Sequence, residues 1–177
     1  LRLFTQTATE ICEGQQYDME FEGRDNVQMN EYMDMIGLKT GVLIACAAKI
    51  GALIGGAPAE DCEKLYEYGY NLGLAFQVAD DYLDAYGDEK VFGKPIGGDI
   101  VNSKKSWLTV RAFEKAEGSA LQDLKKAMAM PVGTDAEKEN KINWVKGLYQ
   151  ELGVGKDAQE RILRLNAKAL DAASKVC

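Results

Sequence analysis

Histidine is absent from these 177 residues. That removes the usual general base near neutral pH and the commonest transition-metal ligand. Any metal site must then be built mainly from carboxylates, which select hard ions such as Mg²⁺ or Ca²⁺. The four cysteines (Cys12, Cys46, Cys62 and Cys177) form no C-x-x-C pair and read as reduced thiols in a cytoplasmic protein. There is no apolar run of about 18 residues, so no membrane span is expected, and no signal peptide is read. No segment carries sustained strand alternation or hairpin dipeptides. No repeat, low-complexity tract or linker divides the chain. The net charge of −7 leaves no basic surface for general nucleic-acid binding. An anionic substrate stays open, because Mg²⁺ and a few lysines reverse the sign locally.

What is present is a series of helical patterns punctuated by glycine, an all-α chain of a length that suits one domain. The first helix is expected from Leu1 to Phe21, and a break from Gly23 to Asn30. A short helix then leads through Gly37 into a longer one, Lys39 to Ile54, ended by Gly55-Gly56-Ala57-Pro58. The third long helix covers Ala59 to Tyr86, with Leu65, Leu72, Phe76, Ala79 and Leu83 as its apolar stripe. A glycine-rich stretch, Gly87 to Gly98, is too long for a tight turn. Helices resume over Lys104–Lys115, Ala120–Met130, Asp135–Leu152 and Lys156–Val176, and Thr134 with Glu137 fits a capping box. Trp107, Trp144 and Tyr149 are expected to pack between helices. Gly51, Gly55 and the alanines between Cys46 and Ala57 are expected to permit close helix contact, within the chain or at a dimer interface. The chain opens on Leu1, directly in an amphipathic pattern without a cap, which reads as a cut inside a larger protein.

Three constellations carry chemistry. The first is Gln77, Asp80, Asp81 and Asp84, within Phe76-Gln77-Val78-Ala79-Asp80-Asp81-Tyr82-Leu83-Asp84. At 3.6 residues per turn, Asp80 and Asp84 share a face and Asp81 lies beside them. Like charges at this spacing weaken a helix, and a cation with oxygen ligands would relieve them; a solvated acidic face has the same spacing. The second is the loop Val91-Phe92-Gly93-Lys94-Pro95-Ile96-Gly97-Gly98-Asp99. Its glycines allow close backbone approach, and Lys94 offers a point charge to phosphate oxygens. It lacks the Walker spacing, and an ordinary helix connection reads the same way. Lys104 and Lys105 just beyond either complete a cationic rim or cap the next helix. The third is Lys39-Thr40 at an expected helix start, where an anion would meet both the lysine and free backbone N–H groups; a surface lysine is the plainer account.

Taken in order, these segments resemble the second half of a trans-isoprenyl diphosphate synthase of the farnesyl diphosphate synthase type. Phe76-Gln77-x-x-Asp80-Asp81-Tyr82-Leu83-Asp84 is similar to that family's second aspartate-rich motif. Gly93-Lys94-Pro95 with Gly98-Asp99-Ile100 is similar to its lysine loop, and Lys39-Thr40-Gly41 to its lysine–threonine element. Gly14-Gln15-x-x-Asp18 and Lys104-x-Ser106-Trp107-Leu108 complete the set.

The resemblance implies an isoprenoid synthase helical bundle and a Mg²⁺-dependent prenyltransferase that condenses isopentenyl diphosphate with an allylic diphosphate. It implies Asp80 as the most direct metal ligand, with Asp81 and Asp84 binding metal-held water or shaping the site. Lys39 and Lys94 would hold the allylic diphosphate. Thr40 and Gln77 would stabilise the carbocation or orient its leaving group. Gln15 and Asp18 would line the cavity, and Lys104 would help orient diphosphate. The family has two aspartate-rich motifs, and the first would lie before Leu1. Residues 1–177 are therefore expected to be the C-terminal portion of a single synthase domain, inactive alone and homodimeric when intact. A terpene cyclase and a non-catalytic regulatory subunit share the implied fold. The D-D-x-x-D spacing and the lysine loop favour the prenyltransferase over the cyclase, and the intact aspartates oppose the regulatory subunit.

Overall fold

A computed structural model describes residues 1–93 and 95–177, apart from the side chain of Phe92. Lys94 thus lies outside the described residues. Among the described residues all regular structure is helical, as the absence of strand alternation predicts. In chain order the helices are α1 (Arg2–Glu22), α2 (Met29–Ile36), a π-helical turn (Gly37–Gly41), α3 (Val42–Ile54), α4 (Ala59–Tyr86), α5 (Glu89–Phe92) and α6 (Gly98–Val101). Then come α7 (Trp107–Lys115), α8 (Gly118–Ala129), α9 (Asp135–Glu151) and α10 (Val154–Ser174).

The chain divides into two compact units. The first holds Leu1–Gly23, Met33–Val78 and Glu160–Cys177; the second holds Arg24–Tyr32 and Ala79–Gln159.

In the first unit α1 packs against the π-helical turn and α3. The approach needs small residues. A Cβ on Gly14 of α1 would stand 2.5 Å from the Lys39 backbone nitrogen, and one on Gly73 of α4 would stand 2.8 Å from the Gly41 Cα. By contrast, a Cβ on Gly51 would meet nothing within 4 Å, so the contact expected there is not made within the chain. The core includes Met35, Ile36, Val42, Ala45, Leu74 and Val78.

Met29–Ile54 runs as one continuous helix, which corrects two expectations. By length and composition alone it is apolar enough to cross a membrane. Part of that apolar stretch, 39% of it, is buried within the structure, and its Lys39 and Lys49 pair with Asp18 and Glu63. Lys39 also does not open a helix. The π turn around it closes with a bond from the Val42 N–H to the Gly37 carbonyl, so the backbone N–H groups there are not free helix-start donors.

In the second unit α7 and α8 pack on α9, and α6 packs on α9 as well. The core holds Leu108, Val110, Leu124, Ala127, Val145 and Tyr149. The Thr134–Glu137 capping box forms as expected. The helix expected from Lys104 starts at Trp107 instead. Ser106 is the reason: its hydroxyl accepts the Thr109 N–H at 3.3 Å and caps the first turn. Trp107 is buried but Trp144 is 40% exposed, against expectation. The apolar stripe expected on α4 is also shifted. Phe76 is 61% exposed and Leu83 is exposed, whereas Leu74, Ala75, Val78, Asp81 and Ala85 are buried.

Candidate active site

The expected site residues fall into two groups, one in each unit. In the first unit, Gln15 and Asp18 come from α1, Lys39 and Thr40 from the π turn, and Gln77 from α4. Gln15 is exposed. The Lys39 ammonium donates to the Asp18 carboxylate at 2.6 Å, and both are half-buried. The Thr40 hydroxyl donates to the Gln77 side-chain oxygen at 3.2 Å. The π turn makes this pairing: an extra residue per turn swings successive side chains away from the usual α-helical positions. The result is a lysine and a hydroxyl presented together beside a carboxylate and an amide.

In the second unit, Asp80, Asp81 and Asp84 sit on the last turns of α4, and consecutive residues point about 100° apart. Asp81 is buried at 3% exposure and accepts from the Tyr32 hydroxyl and, at 2.7 Å, from the Trp107 N–H. Asp80 and Asp84 stay half-buried. Asp84 receives α6: its carboxylate accepts the Asp99 N–H at 3.0 Å and its carbonyl accepts the Gly97 N–H at 2.6 Å. Burial pushes the Asp84 carboxyl above its ordinary value, the Asp99 N–H opposes that, and Asp80 adds to it. Lys104 follows at 3.8 Å from the Asp99 carboxylate.

Asp99 is a further acidic residue of this cluster that the sequence reading did not single out. Burial raises its carboxyl to about 7; Lys104 lowers it, and Asp81, Asp84 and Asp80 raise it further. The signal lies in Gly98-Asp99-Ile100, the segment that resembles the end of the lysine loop. Tyr32 and the Trp107 N–H, which hold Asp81, carried no signal, because a backbone donor and a distant phenol leave no local spacing.

With Asp80 and Asp81 beside the raised carboxyls of Asp84 and Asp99, the site carries surplus negative charge. The donors are hard oxygens, which suits Mg²⁺. Among the described residues, no three acidic or thiol side chains converge as a ready cage, since Asp81 is committed to Tyr32 and Trp107. That fits an ion held through one or two carboxylates with water and phosphate oxygens in its other positions, the usual habit of Mg²⁺. Asp80 and Asp84 are the residues that would hold it.

An all-helical bundle carrying acidic and lysine groups on these motifs defines an isoprenoid-synthase class of protein. Residues 1–146 match the polyprenyl synthetase family. The geranylgeranyl diphosphate synthase of Methanosarcina mazei is 39% identical over 174 residues, covering 92% of this chain and 54% of that protein. A crystal structure of a geranylgeranyl pyrophosphate synthase superposes with a TM-score of 0.93 at 41% identity, covering 99% of this chain and 54% of the other. The geranylgeranyl pyrophosphate synthase from Corynebacterium glutamicum, solved with isoprenyl diphosphate and magnesium, superposes at 0.88 with 26% identity, covering 99% of this chain and 49% of that one. The chain belongs to the polyprenyl synthetase family and has its helical fold. It spans about half the length of the relatives it matches.

Proposed function

We propose that residues 1–177 are the C-terminal portion of a single isoprenyl diphosphate synthase domain. The intact enzyme joins isopentenyl diphosphate to an allylic diphosphate head to tail, giving a geranyl, farnesyl or geranylgeranyl chain. The observation that carries this reading is the acidic cluster of the second unit, where the Asp84 carboxylate accepts the Asp99 N–H, Lys104 lies 3.8 Å from Asp99, and burial with the neighbouring aspartates pushes the Asp99 carboxyl up to about 7. A site so overcharged, with Lys104 beside it, is suited to a cation and a diphosphate together.

In the reaction the allylic C1–O bond breaks, and the diphosphate departs with the electron pair. The double bond of isopentenyl diphosphate then attacks the carbocation, and a proton leaves the new chain. Bound Mg²⁺ supplies positive charge that stabilises the departing diphosphate. Asp80 would be the residue that holds the ion most directly, with Asp84 supporting it. Asp81 shapes the site by fixing Tyr32 and the start of α7. Lys39, Lys94 and Lys104 bind phosphate oxygens. For Lys39 this means exchanging or sharing its present partner, Asp18. Thr40 and Gln77 turn their oxygens toward the carbocation, and Gln15 and Asp18 line the cavity. The final proton passes to an oxygen of the released diphosphate, as the family resemblance implies.

Retention of Asp80, Asp81 and Asp84 supports an enzyme over a regulatory subunit. The four unpaired cysteines support a cytoplasmic location, and the family likeness supports a homodimer. The experiment is incubation of the full-length protein with labelled isopentenyl diphosphate and an allylic diphosphate. Solvent-extractable prenyl product that disappears with chelator and returns with Mg²⁺ is expected. No product from any allylic length would sink the proposal.

A further inference from the structure

The second unit contains a buried cation that the reaction does not use. Lys141 of α9 is 1% exposed. Its ammonium donates to the carbonyls of Val101 at 3.3 Å, Met128 at 3.1 Å and Met130 at 3.2 Å, and to the Ser103 hydroxyl at 2.7 Å. All four acceptors are uncharged, so the ammonium is satisfied geometrically without an anion to offset its lost hydration. Burial lowers its proton affinity accordingly.

Ser103 is unusual in its own right. It has a φ of 53°, in the left-handed region that residues with a Cβ adopt at a cost. Its hydroxyl donates to the Met128 carbonyl at 2.6 Å while accepting from Lys141. Such a conformation persists only where its surroundings over-determine it. The next residue is Lys104, whose N–H is tied to the Asp99 carbonyl at 2.9 Å.

A second anchor lies two helical turns along α9. Tyr149 pairs with the Thr109 hydroxyl at 2.9 Å, and Thr109 pairs with Ser106 at 3.1 Å. Lys141 and Tyr149 are eight residues apart, about 12 Å along one face of the helix. Between their points of attachment runs the segment from Ser103 to Trp107. That segment carries Lys104 and the N–H that Asp81 accepts.

We propose that α9 is a brace for the phosphate-binding segment, and that Lys141, acting through Ser103, is a positioning residue that fixes where Lys104 presents its charge. The inference rests on the diphosphate site proposed above. Lys141 touches no substrate; it sets the backbone from which Lys104 reaches.

The test uses the full-length protein with inorganic pyrophosphate and Mg²⁺, and two readouts. One is amide hydrogen exchange over residues 98–110; the other is pyrophosphate affinity by titration calorimetry. Lys141→Met should speed exchange at Lys104, Lys105 and Trp107 and weaken pyrophosphate by about tenfold, the scale of one lost hydrogen bond. Ser103→Gly accepts the positive φ without strain, so it should keep the melting temperature and still weaken binding severalfold. Lys104→Ala should weaken binding with exchange unchanged. Adding Ser103→Gly to Lys104→Ala should then weaken binding no further, because Ser103 acts through Lys104. Additive losses, or unchanged affinity and exchange in Ser103→Gly, would overturn the brace. If the unaltered protein fails to bind pyrophosphate, the diphosphate site itself is wrong and the brace falls with it.

Discussion

Asp80 and Asp81 are adjacent and chemically identical, yet the fold gives them opposite duties. The helix turns them about 100° apart, which places Asp81 among buried residues with two donors and leaves Asp80 half-buried on the flank. Asp81→Asn keeps one acceptor and loses the charge, so it should cost about 1–2 kcal/mol of stability in urea unfolding. Asp80→Asn should change stability by less than about 0.5 kcal/mol. Equal effects would remove the division of labour. Tyr149 gives a prediction in pH. It is fully buried, and burial pushes its phenol well above its ordinary value, with the Thr109 hydroxyl partly offsetting this. An unfolded tyrosine ionises near about 10. Above that pH the unfolded chain sheds a proton that the folded chain keeps, so stability is present below about 10 and falls as pH rises. Tyr149→Phe should flatten this alkaline fall; an unaltered slope would contradict the burial of the phenol. At this scale the sequence singles out Lys39, Thr40, Gln77 and the aspartates as candidates, but not their partners in the fold. Nothing local in Tyr32 or Trp107 announces a bond to Asp81, because each lies far along the chain from it.

Among the elements, several helix ends were legible from the glycine, proline or capping residue that punctuates them, although the Ser106 cap was not. Gly55-Gly56-Ala57-Pro58 ends α3, and Thr134 with Glu137 opens α9. The π turn was not legible. It is bracketed by Gly37 and Gly41, both of which receive the ring of Tyr70, a contact made by a side chain some 30 residues away. The phase of α4 was misread for another reason: Leu65, Leu72, Phe76 and Leu83 form one helical stripe, and Leu74, Val78 and Ala85 form another. Periodicity shows that a stripe exists without choosing between two. Close packing of helices yields a matched pair of predictions. Gly73→Ala would drive a Cβ to 2.8 Å from the Gly41 Cα, and backbone cannot yield as a side-chain tip does. The loss should be about 1–3 kcal/mol. Gly51→Ala places its methyl in open space within α3 and should gain about 0.5–1 kcal/mol from helix propensity. Thermal melts of the two variants moving in the same direction would contradict the packing.

Over the chain as a whole, several large apolar side chains stay at the surface. Phe4, Met19, Leu43, Ile54, Phe76, Leu163 and Leu170 of the first unit are all exposed. The relatives are about twice as long as this chain. These side chains accord with a bundle whose remaining helices belong to the rest of the domain. The 177 residues expressed alone should therefore bind a hydrophobic dye and self-associate in sedimentation; a monodisperse, dye-silent monomer would count against that reading. In the proposed reaction Asp80 holds the ion that neutralises the departing diphosphate. The direct measurement is steady-state condensation of isopentenyl and allylic diphosphates by the full-length protein and by its Asp80→Asn variant, with melting temperatures taken alongside. A fall in turnover of about 10²–10³-fold at unchanged melting temperature is predicted, the scale of losing one charge-stabilising group. Near-normal turnover in the variant would contradict it.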